Sequence, residues 1–146
     1  MKTPTVAVSG GFDPMHKGHV QMIREAAEYG NVIVILNSDD WLIRKKGYKF
    51  MSFEERAYIA GSIKGVTLVS NVDDTDGTVC EALTRLKPDF FANGGDRYED
   101  NTPEMNVCEA FGIEMLWNIG GGKVQSSSDL VNKASWGKRR INGQEF

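Results

Sequence analysis

The chain reads as a single α/β domain, a parallel sheet with helices on both faces. Two observations predict it. Short β-rich runs alternate with helical patterns along the chain, and that order calls for right-handed crossovers that cover both faces of a parallel sheet. The run Val32-Ile33-Val34-Ile35-Leu36 is continuously apolar, the pattern of a parallel strand buried on both sides.

The elements follow in order. Val6-Ala7-Val8 is the first strand, and a glycine-rich turn leads from it into a helix from about Gly18 to Tyr29. Val20, Ile23, Ala26 and Ala27 give that helix one apolar face. Val32 to Leu36 is the second strand. Ser52, with Glu55 three residues later, makes a capping-box pattern that starts a helix running to about Ile63. Thr67-Leu68-Val69 is a short strand, and Thr78 to Leu86 a helix ended by Lys87-Pro88. Phe90-Phe91-Ala92 is the next strand. A helix from about Pro103 to Phe111 stops at Gly112, and Glu114-Met115-Leu116 is the fifth strand. A final helix starts within Ser126 to Ser128. Residues 1–134 are read as the domain, and residues 135–146, poor in apolar side chains, as a surface extension.

A length of 146 residues suits one domain with its own core. An apolar share of 40% beside 25% charged residues is that of a water-soluble globular chain. No apolar run is long enough to span a bilayer, and Met1-Lys2-Thr3-Pro4 lacks the apolar core of a signal peptide. A cytoplasmic protein without membrane contact is expected. The net charge of −3 and a pI near 5.4 exert no global pull on nucleic acid, so any anion site has to be built locally. Cys80 and Cys108 have no metal-ligand spacing and read as reduced, buried thiols. No metal held by the protein itself is expected.

Parallel sheets of this kind bind ligands just beyond the carboxyl ends of their strands. The first such segment is the most informative: Ser9-Gly10-Gly11-Phe12-Asp13-Pro14-Met15-His16-Lys17-Gly18-His19. Adjacent glycines allow close backbone approach and positive φ, and Gly18 opens a helix whose N-terminal amides and dipole make a seat for phosphate. The chain's two histidines are both here, three residues apart and therefore on one side of the first helical turn. No Gly-x-x-x-x-Gly-Lys-Ser/Thr occurs, and no Gly-x-Gly-x-x-Gly follows a strand, which excludes a P-loop and argues against a dinucleotide site.

Three further segments stand at strand ends. Asn37-Ser38-Asp39-Asp40 and Arg44-Lys45-Lys46-Gly47 follow the second strand and read as a mobile cationic loop able to close over a triphosphate. Asn93-Gly94-Gly95-Asp96-Arg97 follows the fourth, with Asp96 suited to ribose hydroxyls or to helping hold a metal. Gly120-Gly121-Gly122 leads into Ser126-Ser127-Ser128, a helix start that can bind phosphate. Arg56, on the second helix, reads as a surface residue by position.

The first segment resembles the signature of the nucleotidylyltransferase superfamily, Gly-x-Phe-Asp-x-x-His-x-Gly-His, met here from Gly10 to His19. The resemblance runs from Val6 to about Ala134. Asn37-Ser38-Asp39, Arg44-x-Lys46-Gly47, Gly94-Gly95-Asp96 and the serine-led helix are similar to the adenylyltransferase domain of heptose enzymes of lipopolysaccharide synthesis. Glycerol-3-phosphate cytidylyltransferases are the next relatives. Two departures stand out: Asn93 replaces a phosphate-binding lysine, and Ser126-Ser127-Ser128 replaces Ser-Thr-Thr.

The resemblance implies a Rossmann-like, doubly wound five-stranded sheet of order 3-2-1-4-5, and a homodimer. It implies transfer of a nucleoside monophosphate from ATP or CTP, with Mg²⁺, to a phosphorylated sugar or polyol, ATP being favoured. His16 then binds the triphosphate, His19 the α-phosphate in the transition state, and Lys46 the β- and γ-phosphates. Gly10, Gly11, Phe12, Gly18, Gly94, Asp96, Ser126, Ser127 and Arg56 fall to the nucleotide. Asp13, Asn37 and Arg44 fall to the acceptor side, with Asp13 alternatively ordering the loop. Two other classes stay open: a nucleotide-binding regulator without turnover, and a nucleic-acid binder supported by Arg44 to Lys46 and Lys138 to Arg140.

Overall fold

The computed structural model describes residues 3–94 and 102–120. The strands are β1 (Thr5–Gly10), β2 (Asn31–Leu36), β3 (Val66–Ser70), β4 (Phe90–Ala92) and β5 (Glu114–Leu116). The helices are α1 (Lys17–Ala26), α2 (Asp39–Lys46), α3 (Phe53–Gly61), α4 (Cys80–Leu86) and α5 (Thr102–Phe111). All strand pairs are parallel and the order is β3-β2-β1-β4-β5. The fold is the expected doubly wound sheet.

Side chains alternate across a strand, and each face of this sheet has its own core. Val6, Val8, Val32, Val34 and Leu36 face Ile23 and Ala26 of α1 and Ala60 of α3. Ala7, Ile33, Ile35 and Phe91 face Ala82 and Leu83 of α4 and Cys108 of α5. Two buried layers explain why β2 reads as an unbroken apolar run. At the β3 edge the cover thins, and Leu68 is 46% exposed.

Capping sets the helix ends. Ser52 Oγ accepts from Glu55 N at the start of α3. The start of α4 has no side-chain cap of its own. Instead the buried Glu104 of α5 accepts from Val79 N at 3.2 Å, placing a carboxylate at the positive end of α4. Cys80 is half-buried beside that start and Cys108 is buried, both as free thiols. Burial, with the negative charge of Glu104 adding to it, pushes the Cys108 thiol up to about 11. Such thiols are inert at neutral pH.

One element departs from the sequence reading. The segment expected to be a mobile loop around Arg44 to Lys46 is the helix α2, with Ser38 as N-cap and Gly47 as a left-handed C-cap at φ 85°. Aspartates fill its first turn and cations its last, the charge order a helix dipole favours.

Candidate active site

The turn after β1 is shaped by packing. A Cβ at Gly10 would lie 3.2 Å from the Phe12 ring, and one at Gly11 2.7 Å from Leu42 of α2. The glycines therefore make room for Phe12 and α2, and neither adopts a positive φ. The left-handed residue of the turn is Phe12, at φ 49°, with its ring buried. This corrects the expectation that the glycines supply the unusual backbone.

Both histidines are locked at the start of α1. His16 is the N-cap, and its Nδ1 accepts from Gly18 N at 3.1 Å. His19 Nδ1 accepts from His16 N at 3.1 Å, completing a reciprocal capping box. The rings stack with centroids 3.8 Å apart and planes 21° from parallel. Phe12 stands edge-on to His19 at 4.8 Å. A ring whose Nδ1 accepts a hydrogen bond carries its proton, when neutral, on Nε2. Rotamer and tautomer are thus fixed before any ligand arrives. The Gly18 amide, expected to be open to phosphate, is engaged by His16.

Around this pair, Asp13, Arg56 and α2 form a polar frame. Asp13 is buried and accepts from the amides of Phe50 and Met51, each at 2.6 Å. It orders the segment between α2 and α3. Lys46 Nζ donates to Asp13 O at 3.0 Å and stands 3.8 Å from its carboxylate. The loop-ordering role is the one this geometry gives Asp13.

Arg56 is 1% exposed, contrary to its reading as a surface residue. Its guanidinium donates to Met51 O, Gly11 O, Asn37 O and Asp39 Oδ1 at 2.7 to 3.0 Å. It ties the β1 turn, the end of β2 and the start of α2 together, with four of its five N–H donors bonded to protein. Burial pulls the Asp39 carboxyl up, but hydrogen bonds and charge from Arg56 and Lys49 outweigh it, so its pKa lies below the ordinary value.

Asn37 is buried and donates to Asp74. Ser38 donates to the same carboxylate through its amide and hydroxyl, and Arg44 reaches Asp74 O at 2.7 Å. Asp74, 2% exposed in the loop after β3, was not singled out from sequence. Its position just beyond a strand's carboxyl end was the available signal. Burial raises its carboxyl and the bonds from Ser38 and Asn37 outweigh that, leaving it below the usual range. A cleft of about 270 Å³ opens alongside, lined by Leu36, Ser38, Asp39, Phe53, Asn71 and Val72.

At the far side of β1, Asn93 turns its amide inward, donating to Phe91 O and Leu116 O, and Gly94 follows it half-buried. Asp96, Ser126 and Ser127 lie outside the described residues. The approach to that last motif is tethered, since Gly120 N donates to Glu25 of α1 at 2.6 Å. Among the described residues no group of three histidine, cysteine or carboxylate side chains is placed to hold a metal ion. None of their helices is long and apolar enough to cross a membrane.

A family model described as cytidylyltransferase-like matches residues 7–118, from β1 past β5. The chain belongs to that family. Its cytidylyltransferase-like domain is 34% identical over 114 residues to the bifunctional protein HldE of Gluconobacter oxydans, covering 76% of this chain and 23% of that one. To HldE of Geobacter metallireducens it is 31% identical over 133 residues, covering 88% and 26%. The chain thus spans about a quarter of the length of these relatives. A crystal structure of a lipopolysaccharide core biosynthesis protein from Thermoplasma volcanium superposes with a TM-score of 0.66 at 21% identity, covering 80% and 94%. That likeness concerns the fold.

Proposed function

We propose that this chain is a nucleotidyltransferase that moves a nucleoside monophosphate from ATP to a phosphorylated sugar, releasing pyrophosphate. The observation that carries the reading is the stacked, hydrogen-bond-locked pair His16 and His19 at the start of α1, beside the β1 turn. The acceptor's phosphate oxygen attacks the α-phosphorus in line, and the bond to the bridging oxygen of pyrophosphate breaks. A phosphate monoester is largely ionised at neutral pH, so the reaction needs no strong base. What it needs is fixed donors where charge develops. The Nε2–H groups of His16 and His19 supply them to the triphosphate and α-phosphate, and Lys46 serves the β- and γ-phosphates. Arg56 and Asp13 hold the frame, while Asn37, Arg44 and the adjoining cleft mark the acceptor side.

Magnesium would come with the nucleotide in this reading and would supply charge neutralisation for the pyrophosphate group. Mg²⁺ in such sites is held largely by substrate phosphates and water, which fits a frame in which the carboxylate of Asp13 is spent on two amides and Lys46. Work in the cytoplasm, where nucleoside triphosphates are available, belongs to the same proposal. So does a homodimer across the β3 edge, supported by exposed Leu68 on β3 and by Tyr58 and Ile59 on α3.

Thermal unfolding with Mg²⁺ and each of ATP, CTP, GTP and UTP tests the donor. A ligand at 100 times its Kd adds about 2.7 kcal/mol, a rise of several degrees for a domain of this size. A shift with ATP, followed by pyrophosphate release with a heptose phosphate, bears out the proposal. A shift with CTP and turnover of glycerol 3-phosphate replaces donor and acceptor. No shift with any nucleotide at millimolar concentration overturns the reading.

A further inference from the structure

We infer that Asp74 is a positioning residue for the triphosphate side of the site: its carboxylate pins the start of α2 and thereby sets where Lys46 stands. The inference rests on the proposed function for its catalytic meaning, and on geometry alone for the hold itself.

Helix α2 has eight residues, of which Leu42 alone is buried. Isolated helices that short do not persist in water, and one buried leucine anchors little. Polar contacts must therefore hold α2 in place. At its C-terminal end Lys46 bonds the backbone of Asp13. Near its start, Asp39 bonds Arg56. Asp39 also meets Lys49 on the exposed side, and the other bonds converge on Asp74.

Three donors reach that carboxylate: Ser38 N at 2.8 Å, Asn37 Nδ2 at 3.0 Å and Ser38 Oγ at 2.7 Å. Ser38 has a single hydroxyl proton. Giving it to Asp74 leaves the oxygen's lone pairs for Trp41 N, which it caps at 3.0 Å. Asp74 thus orients the N-cap of α2 as well as bonding it, and its negative charge stands at the helix's positive end. Its backbone takes part too, because Asp74 O accepts from Arg44 and from Gly77 N. The Gly77 turn, at φ 83°, holds the aspartate in place. An ionised carboxylate accepts from all three donors; an amide there would turn an N–H₂ toward one of them.

The test is Asp74→Asn in the full chain, with Asp73→Asn as control. Asp73 is exposed and its carboxylate bonds only Thr75 among the described residues. Hydrogen exchange of residues 39–47 should accelerate in Asp74→Asn while β2 is unchanged. The KM for ATP–Mg²⁺ should rise about tenfold, the scale of one lost charge-assisted hydrogen bond, with a smaller fall in kcat. Adding Lys46→Ala to Asp74→Asn should then cost far less than Lys46→Ala alone, because the two act through one contact. Asn37→Ala, which removes one donor to the carboxylate and leaves the Ser38 cap in place, should move exchange and KM the same way by less, and serves if Asp74→Asn does not fold. Wild-type exchange in α2, or fully additive effects with Lys46→Ala, would overturn the inference. If the wild-type protein neither binds a nucleoside triphosphate nor releases pyrophosphate, the functional reading fails, and the exchange experiment still decides whether Asp74 holds α2.

Discussion

The two helices that frame the candidate site are held by opposite means. α1 carries its own fastening: His16 and His19 cap each other's backbone within one turn, and Ile23 and Ala26 bury its inner face. α2 is fastened from outside, by Asp13, Arg56 and Asp74, which lie 17 to 37 residues from the groups they bond. The histidines are therefore positioned locally and Lys46 remotely. A distant substitution should disturb the second and spare the first.

The largest effect is expected at Arg56. Arg56→Met leaves three carbonyls and Asp39 without their buried donor, and stability should fall by about 3–5 kcal/mol. Chemical denaturation measures it, and a change under 1 kcal/mol would show that α2 needs no such clamp. His19→Ala comes next. Removing one preorganised donor costs about 10²–10³ in kcat, with nucleotide affinity changing less; activity within a few-fold of wild type removes His19 from its role. Gly11→Ala presses on Leu42 of α2, and overpacking of this sort costs about 1–3 kcal/mol. It should raise KM for the nucleotide more than it lowers kcat, since α2 moves and the histidines do not.

Acid gives the smallest and most selective effect. The carboxyls of Asp39 and Asp74 have pKa values below 3.8 in the folded chain. Their stabilising contribution is present above that value and is lost as pH falls through the folded pKa. Exchange in α2 should therefore rise as pH is lowered below about 3.8 before exchange in α1 does, and Asp74→Asn should flatten that difference. Cys108 works at the other limit. Its raised thiol stabilises the fold below about pH 9.0 and loses that contribution as pH climbs toward about 11.

The same contrast explains what sequence made legible. The alternation of strands and helices and both cores follow from apolar runs and their spacing, the strand order from the family resemblance, and the His16–His19 pair sits inside one contiguous motif. α2 was missed because its residues lack an apolar stripe, although Ser38, the paired aspartates, the basic last turn and Gly47 were all helix-end signals. Arg56 was misplaced because periodicity does not reveal that a charged side chain will find four acceptors inside. Asp74 bonds Asn37, Ser38 and Arg44, which lie 30 to 37 positions away, and only the folded sheet brings them together.

Trp41 sits on α2 with Lys45 Nζ 5.1 Å above its ring, and its edge lies 3.5 Å from where a Cβ at Gly11 would stand. Its indole is therefore wedged between a cation of its own helix and the glycine turn, so its contact with the turn changes whenever α2 moves. With Trp117 and Trp136 replaced by phenylalanine, Trp41 would be the protein's one tryptophan, placed where α2 meets the β1 turn. Its emission would report the seating of Lys46 in real time, without label, substrate turnover or coupling enzyme.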